Sequence, residues 1–573
     1  MYTELYSNLF FNKIRRVLII CIVILLSFTF AFYLNMNKEI TSGGFPGRIL
    51  SFVDYNLFLQ NFHPFSSNIC NSFYTSNLLS IGETLKGLSI LFIILSQVTG
   101  LNSQYLMLIP FGVFLTSFSY YVLIKKIFNN FEISFLLLIY ILFYTITSAD
   151  QLGGYAASWT FILFVLFILM NFKLMNKKSP SCVIVLFLLY LGLNIYWHTM
   201  EAKALFFIFS INALIFILWN LKCVIKEYPQ STSSIFLAML VTTLFFKELL
   251  YKKSGYFSSV SLYNFYDSYG KWFTDIGARI GLISAKVQSN QSLFYTSSSP
   301  LNTISTFAGL ALIFVISMPV LLSCAVDVRC IIGRKYLNFT KLSWLKWSLV
   351  ITQVLLTVAY GLAMGAGPGI ILHFFPIASI ISIIELNNYI LSDGNLKNKS
   401  YLKLKHSLNS DRLTQNRKVC LFLVVIVLLQ SIYCFPYLLN YSKTSVLSYD
   451  DTDASSSWFV SNAKISDNTS ELVLTDFHTS GKFLVLCSNK GVLFNYKTYS
   501  PFEYQKLIEG KFNNSEWTHI ILNIKSIDKP VSIDQSWTPL KPVSLFITNI
   551  ESSNHISKVY NDGLYITYFK KEY

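Results

Sequence analysis

The chain has 573 residues, 53% of them hydrophobic and only 13% charged, with a mean hydropathy of +0.50. That is too apolar to fold around one water-soluble core, and it is the composition of a polytopic membrane protein. The formal charge is +16, yet from Asn440 onward 13 Lys stand against 14 Asp or Glu, so the excess lies wholly in the earlier part, 32 basic residues against 15 acidic. A basic excess confined to an apolar region argues against nucleic acid as a partner, which requires a basic face on a soluble module, and it is what the positive-inside rule produces.

In chain order, the first apolar run is residues 17–34, preceded by Lys13, Arg15 and Arg16 and followed by no small-residue cleavage site. It reads as a signal anchor with a cytoplasmic N-terminus. A large outer loop, residues 35–103, follows. It contains the stretch LKGLSILFIILSQVTG (85–100), whose roughly 13 apolar residues suit a re-entrant or juxtamembrane helix better than a span. Further membrane-length runs cover residues 104–124, 131–148, 154–172, 180–198, 203–221, 232–250, 301–324, 345–364, 370–390 and 419–438. The expected fold class is therefore mainly α: a polytopic helical bundle of about 11 spans, each long enough for a hydrocarbon core of about 30 Å. Of the 32 basic residues, 22 fall in connections that this count puts in the cytoplasm, including Lys125, Lys126, Lys177, Lys178, Arg334 and Lys335. An odd number of spans puts the C-terminus outside.

Residues 1–439 are thus expected to form a transmembrane domain, and residues 440–573 an extracytoplasmic α/β domain. In the latter, ELVLTDF (471–477), WTHIILNI (517–524) and DGLYITYF (562–569) read as strands and SPFEYQKLIEGKF (500–512) as a helix. The acids of YDDTDASSSW (449–458) read as a helix start, since acids favour the first turn. Seven of the nine cysteines lie in or beside apolar runs, and only Cys70 and Cys487 fall in polar stretches. No CxxC or Cys/His cluster points to a zinc site or a disulfide framework. N-glycosylation triplets occur at Asn290, Asn468 and Asn513.

Ionisable residues at the outer ends of spans are costly near hydrocarbon and are expected to face a polar cavity or one another. Asp54, in GRILSFVDYNLF, reads either as a turn residue or partner of Arg48, or as a general base above the membrane. Glu83 reads as a cap for the following short helix or as part of the same cavity. Asp150, in TSADQLGGY, suits a tight turn with Gly153 and Gly154. His198, Glu201 and Lys203, in YWHTMEAKA, are either a phosphate-binding group or a snorkelling Lys paired with Glu201. His373 and, in a long outer loop, Arg279 complete the set of candidate substrate-binding residues.

The acid in SFVDYN, the short helix after it, the outer turn SADQLGGY and the module after Asn440 together resemble the GT-C superfamily. These are the polyprenyl-phosphate-sugar-dependent membrane glycosyltransferases, including protein mannosyltransferases, aminoarabinose transferases and oligosaccharyltransferases. The stretch AKISDNTSELVLTDFHTSGKF is similar to the outer modules of archaeal members. The resemblance implies an inverting hexosyl or pentosyl transferase of the cell membrane. Its donor would be a polyprenyl-phosphate-linked sugar, and its acceptor a glycan, lipid or protein. Asp54 matches the first-loop Asp that deprotonates or orients the acceptor. Asp150 matches the turn that in oligosaccharyltransferases carries a metal-binding DxD, but Gln151 and Leu152 follow it, so no divalent-metal cofactor is implied with it. A flippase for lipid-linked oligosaccharide, an O-antigen-type polymerase and a non-catalytic member of the fold are the alternatives.

Overall fold

The computed structural model describes residues 2–36, 86–101, 109–147, 156–174, 179–196, 198–221, 233–250, 300–332, 340–364, 374–395, 404–441, 453–462, 472–475, 495–498, 501–511, 517–524, 544–563 and 565–570, with the single positions 106, 479, 483 and 487. Twelve helices precede the C-terminal module among these residues: α1 (Tyr2–Met36), α2 (Lys86–Thr99), α3 (Phe111–Phe128), α4 (Phe131–Thr147), α5 (Ala156–Leu174), α6 (Pro180–Tyr196), α7 (His198–Asn220), α8 (Ser233–Leu250), α9 (Pro300–Ile332), α10 (Lys341–Met364), α11 (Phe375–Asn395) and α12 (Leu404–Tyr441). Each apolar run expected to span falls on one of them, and the short stretch 85–100 is α2.

Boundaries differ where local chemistry intervenes. The run at 104–124 becomes a helix only after Pro110, whose carbonyl accepts from Val113 N, and it ends at Asn129, left-handed at φ 49° and bonded back to the Lys125 carbonyl. Helix α11 starts at Phe375, with Pro376 in the first turn where its missing N–H costs nothing. Helix α9 continues eight residues past the expected end at Cys324 and so carries Asp327 on regular helix.

Four stretches are long and apolar enough to cross a membrane among the described residues: Ile14–Tyr33, Lys203–Asn220, Thr303–Ile332 and Asn416–Phe435. Shorter apolar stretches are Phe131–Thr145, Phe161–Leu174, Pro180–Asn194, Ser234–Leu244 and Phe375–Asn387. Large apolar side chains such as Phe216, Leu321 and Leu421 stand exposed on the outside of the bundle, as they do where lipid rather than water is the solvent. Inside, α9 packs along α11 and α12, α4 along α12, α5 along α3 and α6, and α10 along α7 and α11. Two side chains pin α9: Ser379 Oγ of α11 donates to the Ile316 carbonyl, one turn before Pro319, and Ser305 Oγ donates to the Tyr433 carbonyl at 2.7 Å. Phe374 fills the space between Tyr120, Phe161 and Phe164, with ring centroids 5.9, 5.4 and 5.5 Å away.

The C-terminal module contains α13 (Asp453–Asn462), β1 (Leu472–Thr475), β2 (Asn495–Thr498), α14 (Pro501–Ile508), β3 (His519–Asn523), α15 (Ser544–Glu551), β4 (Ile556–Asn561) and β5 (Tyr565–Lys570). The sheet order is β2-β1-β3-β5-β4, with β1 parallel to β2 and β3, and β5 antiparallel to β3 and β4. The period of two divides its residues cleanly. Leu474, Ile520, Leu522, Ile566 and Tyr568 form a core with Tyr504 and Leu507 of α14 and Phe546 and Ile550 of α15. On the other face, His519 meets Phe459 of α13, and Tyr565 meets Phe483. Cys487 falls in a polar stretch of sequence but is fully buried here, at the same helical spacing as the buried Thr479 and Phe483. None of the seven described cysteines forms a disulfide.

Candidate functional site

Of the residues singled out from the sequence, Asp54, Glu83, Asp150, Arg279 and His373 lie outside the described residues, as do Asn290, Asn468 and Asn513. His198, Glu201 and Lys203 lie on α7, which begins two residues after α6 ends, so α6 and α7 form a hairpin with this cluster at its turn. The short helix α2 packs on α6, with Phe92 and Ile93 buried.

Within this cluster, Lys203 lies on the inward face of α7. It is 8% exposed beside the wholly buried Ala204, Phe207 and Ile208. Ser210, two turns further along the same face, hydrogen-bonds Thr352 of α10 at 3.1 Å. Among the described residues no ion pair involves Lys203. An ammonium withdrawn from water without a counter-ion is costly, and its free energy falls when an anion arrives.

A second buried lysine has the opposite surroundings. Lys346 of α10 is 0% exposed, and its Nζ lies 2.7 Å from Asp327 Oδ2 of α9, 2.5 Å from Glu385 Oε2 of α11 and 2.7 Å from Ser323 Oγ. Ser323 Oγ donates to Glu385 Oε2 at 3.0 Å, and the Trp347 indole Nε1 donates to Asp327 Oδ2 at 2.8 Å. This network escaped the sequence reading because its members come from three helices and sit near span ends, where a charge is unremarkable. The extension of α9 past Cys324 is what brings Asp327 into it. Among the described residues no group of three or more His, Cys, Asp or Glu side chains is arranged to hold a metal ion.

Apolar helices of membrane length, lipid-facing side chains and charges buried between helices define the class: a helical membrane protein. No family model matches the sequence, and no curated protein matches it. Among solved structures, the chain is similar to ArnT from Cupriavidus metallidurans bound to undecaprenyl phosphate, at 10% identity over 95% of this chain and 97% of that one, with a TM-score of 0.41. It is similar also to ArnT from the same organism in the apo state, at 8% identity over 96% of this chain and 97% of that one, again at 0.41. A superposition that loose transfers no residue role.

Proposed function

We propose that the protein is a membrane glycosyltransferase of GT-C type, moving a sugar from a polyprenyl-phosphate donor to a glycan, lipid or protein acceptor at the outer face of the membrane. The observation that carries this reading is Lys203: a buried ammonium, without a described carboxylate, at the mouth of an apolar helical hairpin. Such a charge suits a lipid phosphate, whose tail lies along the exposed apolar helix faces while its head enters between helices.

The sequence supplies the rest. Asp54 accepts the proton of an acceptor hydroxyl as that oxygen attacks the anomeric carbon. The bond from that carbon to the phosphate oxygen breaks, and its electron pair leaves with the phosphate, inverting the configuration. Lys203 meets the charge that develops there, with His198 or Arg279 as further donors. Glu83, Asp150, Glu201 and His373 complete the polar lining. Residues 440–573 form an outer domain that binds or gates the acceptor.

The test is transfer of labelled sugar from a polyprenyl phosphate by the full-length protein in membranes. Asp54→Asn is expected to cut turnover by about 100-fold or more, the lower end of what general base catalysis supplies. Unchanged turnover in a correctly folded Asp54→Asn protein would sink this role.

A further inference from the structure

The two buried lysines sit at opposite ends of one pair of helices. Helices α7 and α10 run antiparallel, with Ser210 against Thr352 and with Leu214 and Leu218 near Trp344. Lys203 is seven residues from Ser210 in one direction, and Lys346 is six from Thr352 in the other. At 1.5 Å per residue they are about 20 Å apart along the axis. Lys346 therefore cannot serve the site at Lys203, and the function proposed above makes no use of it.

We infer that Lys346, Asp327 and Glu385 form an ion-pair latch, which fastens α10 to α9 and α11 at the end of the bundle opposite Lys203 and opens when the shared ammonium is lost. Backbone packing alone does not make this junction. Helix α9 lies along α11 and α12, and α10 along α7 and α11. Between α9 and α10 the contact runs through Lys346 and Trp347 on Asp327, and through Cys330 and Ile331 near Trp344. One ammonium serves two carboxylates, so removing it leaves two like charges facing each other across α9 and α11. Among the described residues Glu385 Oε1 is buried with no hydrogen-bond partner, and both acid side chains are 21% exposed. The latch thus has a solvent-reachable edge and, among the described residues, no second cation paired with either acid.

Cys324, half-buried beside Ser323 on α9, reports the state of this junction, and Cys434, buried on α12, serves as the control. Alkylation of the full-length protein in membranes, followed by peptide mass spectrometry, gives both rates. Lys346→Met is expected to speed labelling of Cys324 by about tenfold while Cys434 stays at its wild-type rate, the pattern of local rather than global opening. The triple variant Lys346→Met/Asp327→Asn/Glu385→Gln, which has no unbalanced charge, is expected to return Cys324 to within about twofold of wild type. If Lys346→Met leaves Cys324 unchanged, or exposes Cys434 equally, there is no latch. Should Lys346→Met not accumulate, Asp327→Ala/Ser323→Ala is read instead. It keeps the Lys346–Glu385 pair but removes both α9 side chains that bond Lys346, so a wild-type Cys324 rate in that protein overturns the inference.

Discussion

Lys203 and Lys346 are both desolvated, and among the described residues carboxylates answer the charge of Lys346 but not that of Lys203. At Lys346 the protein completes the site itself, and the function proposed above puts a lipid phosphate at Lys203. Lys203→Met is expected to weaken binding of a polyprenyl phosphate by roughly tenfold or more, with the thermal midpoint kept or raised because a buried charge has been replaced by an isosteric apolar group. Lys203→Arg is expected to retain most of the binding. Ligand-dependent thermal shift of the full-length protein measures both effects. His519 gives a residue-scale prediction of another kind. Its ring is buried between Phe459 and Phe569, and burial lowers its pKa to about 4. The folded imidazole is therefore neutral where the unfolded chain takes up a proton. Stability is complete above about pH 7, falls as the pH drops from about 6.5 towards 4, and levels off below, a loss on the order of 3 kcal/mol. Hydrogen exchange of β3 amides across that range, corrected for intrinsic rates, is expected to show this loss, and His519→Phe is expected to remove it.

Helices and strands were read from the sequence to different depths. The apolar runs are long and uninterrupted, so every expected span became a helix, and α2 is a helix where 13 apolar residues were too few for a comfortable span. The strands β1 and β3 fall within the stretches expected for them, and β5 runs one residue past its own, because their residues are mostly buried and apolar. NYKT of β2 and ISKVYN of β4 carry no such signal: they are the sheet edges, and β4 is mostly exposed. What periodicity cannot supply is which faces meet. The latch joins residues 19 and 39 apart on three helices. One close helix contact is equally invisible in sequence. At Gly309 of α9 an added Cβ would lie 2.7 Å from Tyr433 Cδ2 of α12. Alanine is the better helix former, but here the Tyr433 ring stands in the way, and the backbone that carries it is tied to α9 where its carbonyl accepts from Ser305. Gly309→Ala is expected to lower stability by about 1–3 kcal/mol, the usual cost of overpacking, and Gly309→Ala/Tyr433→Leu to recover most of it. Thermal unfolding in detergent measures both.

For the whole molecule the open quantity is the side of the membrane on which residues 440–573 lie. The parity of the crossings decides it. Eleven helices cover the eleven apolar runs, α2 being the short one left over. If α2 does not cross, the chain crosses an odd number of times and its ends lie on opposite sides. The charge pattern then fixes which: Arg15 and Arg16 precede the apolar part of α1, Lys125 and Lys126 close α3, and Arg417 and Lys418 begin the apolar part of α12. These three positions fall on one side in the same count, and positive residues hold that side in the cytoplasm. If α2 crosses instead, every connection after it changes side, and the basic clusters after α3 would have to be translocated. The two schemes therefore differ at every loop beyond residue 100, and the C-terminus reads them out. Alkaline phosphatase fused after Tyr573 is expected to be active and a fluorescent protein fused there to be dark, while fusions placed between α3 and α4 show the reverse. A fluorescent C-terminal fusion would make α2 a span. It would also put α13 and the sheet on the cytoplasmic side, away from any acceptor at the outer face, so the same measurement decides whether the C-terminal module can take part in the transfer.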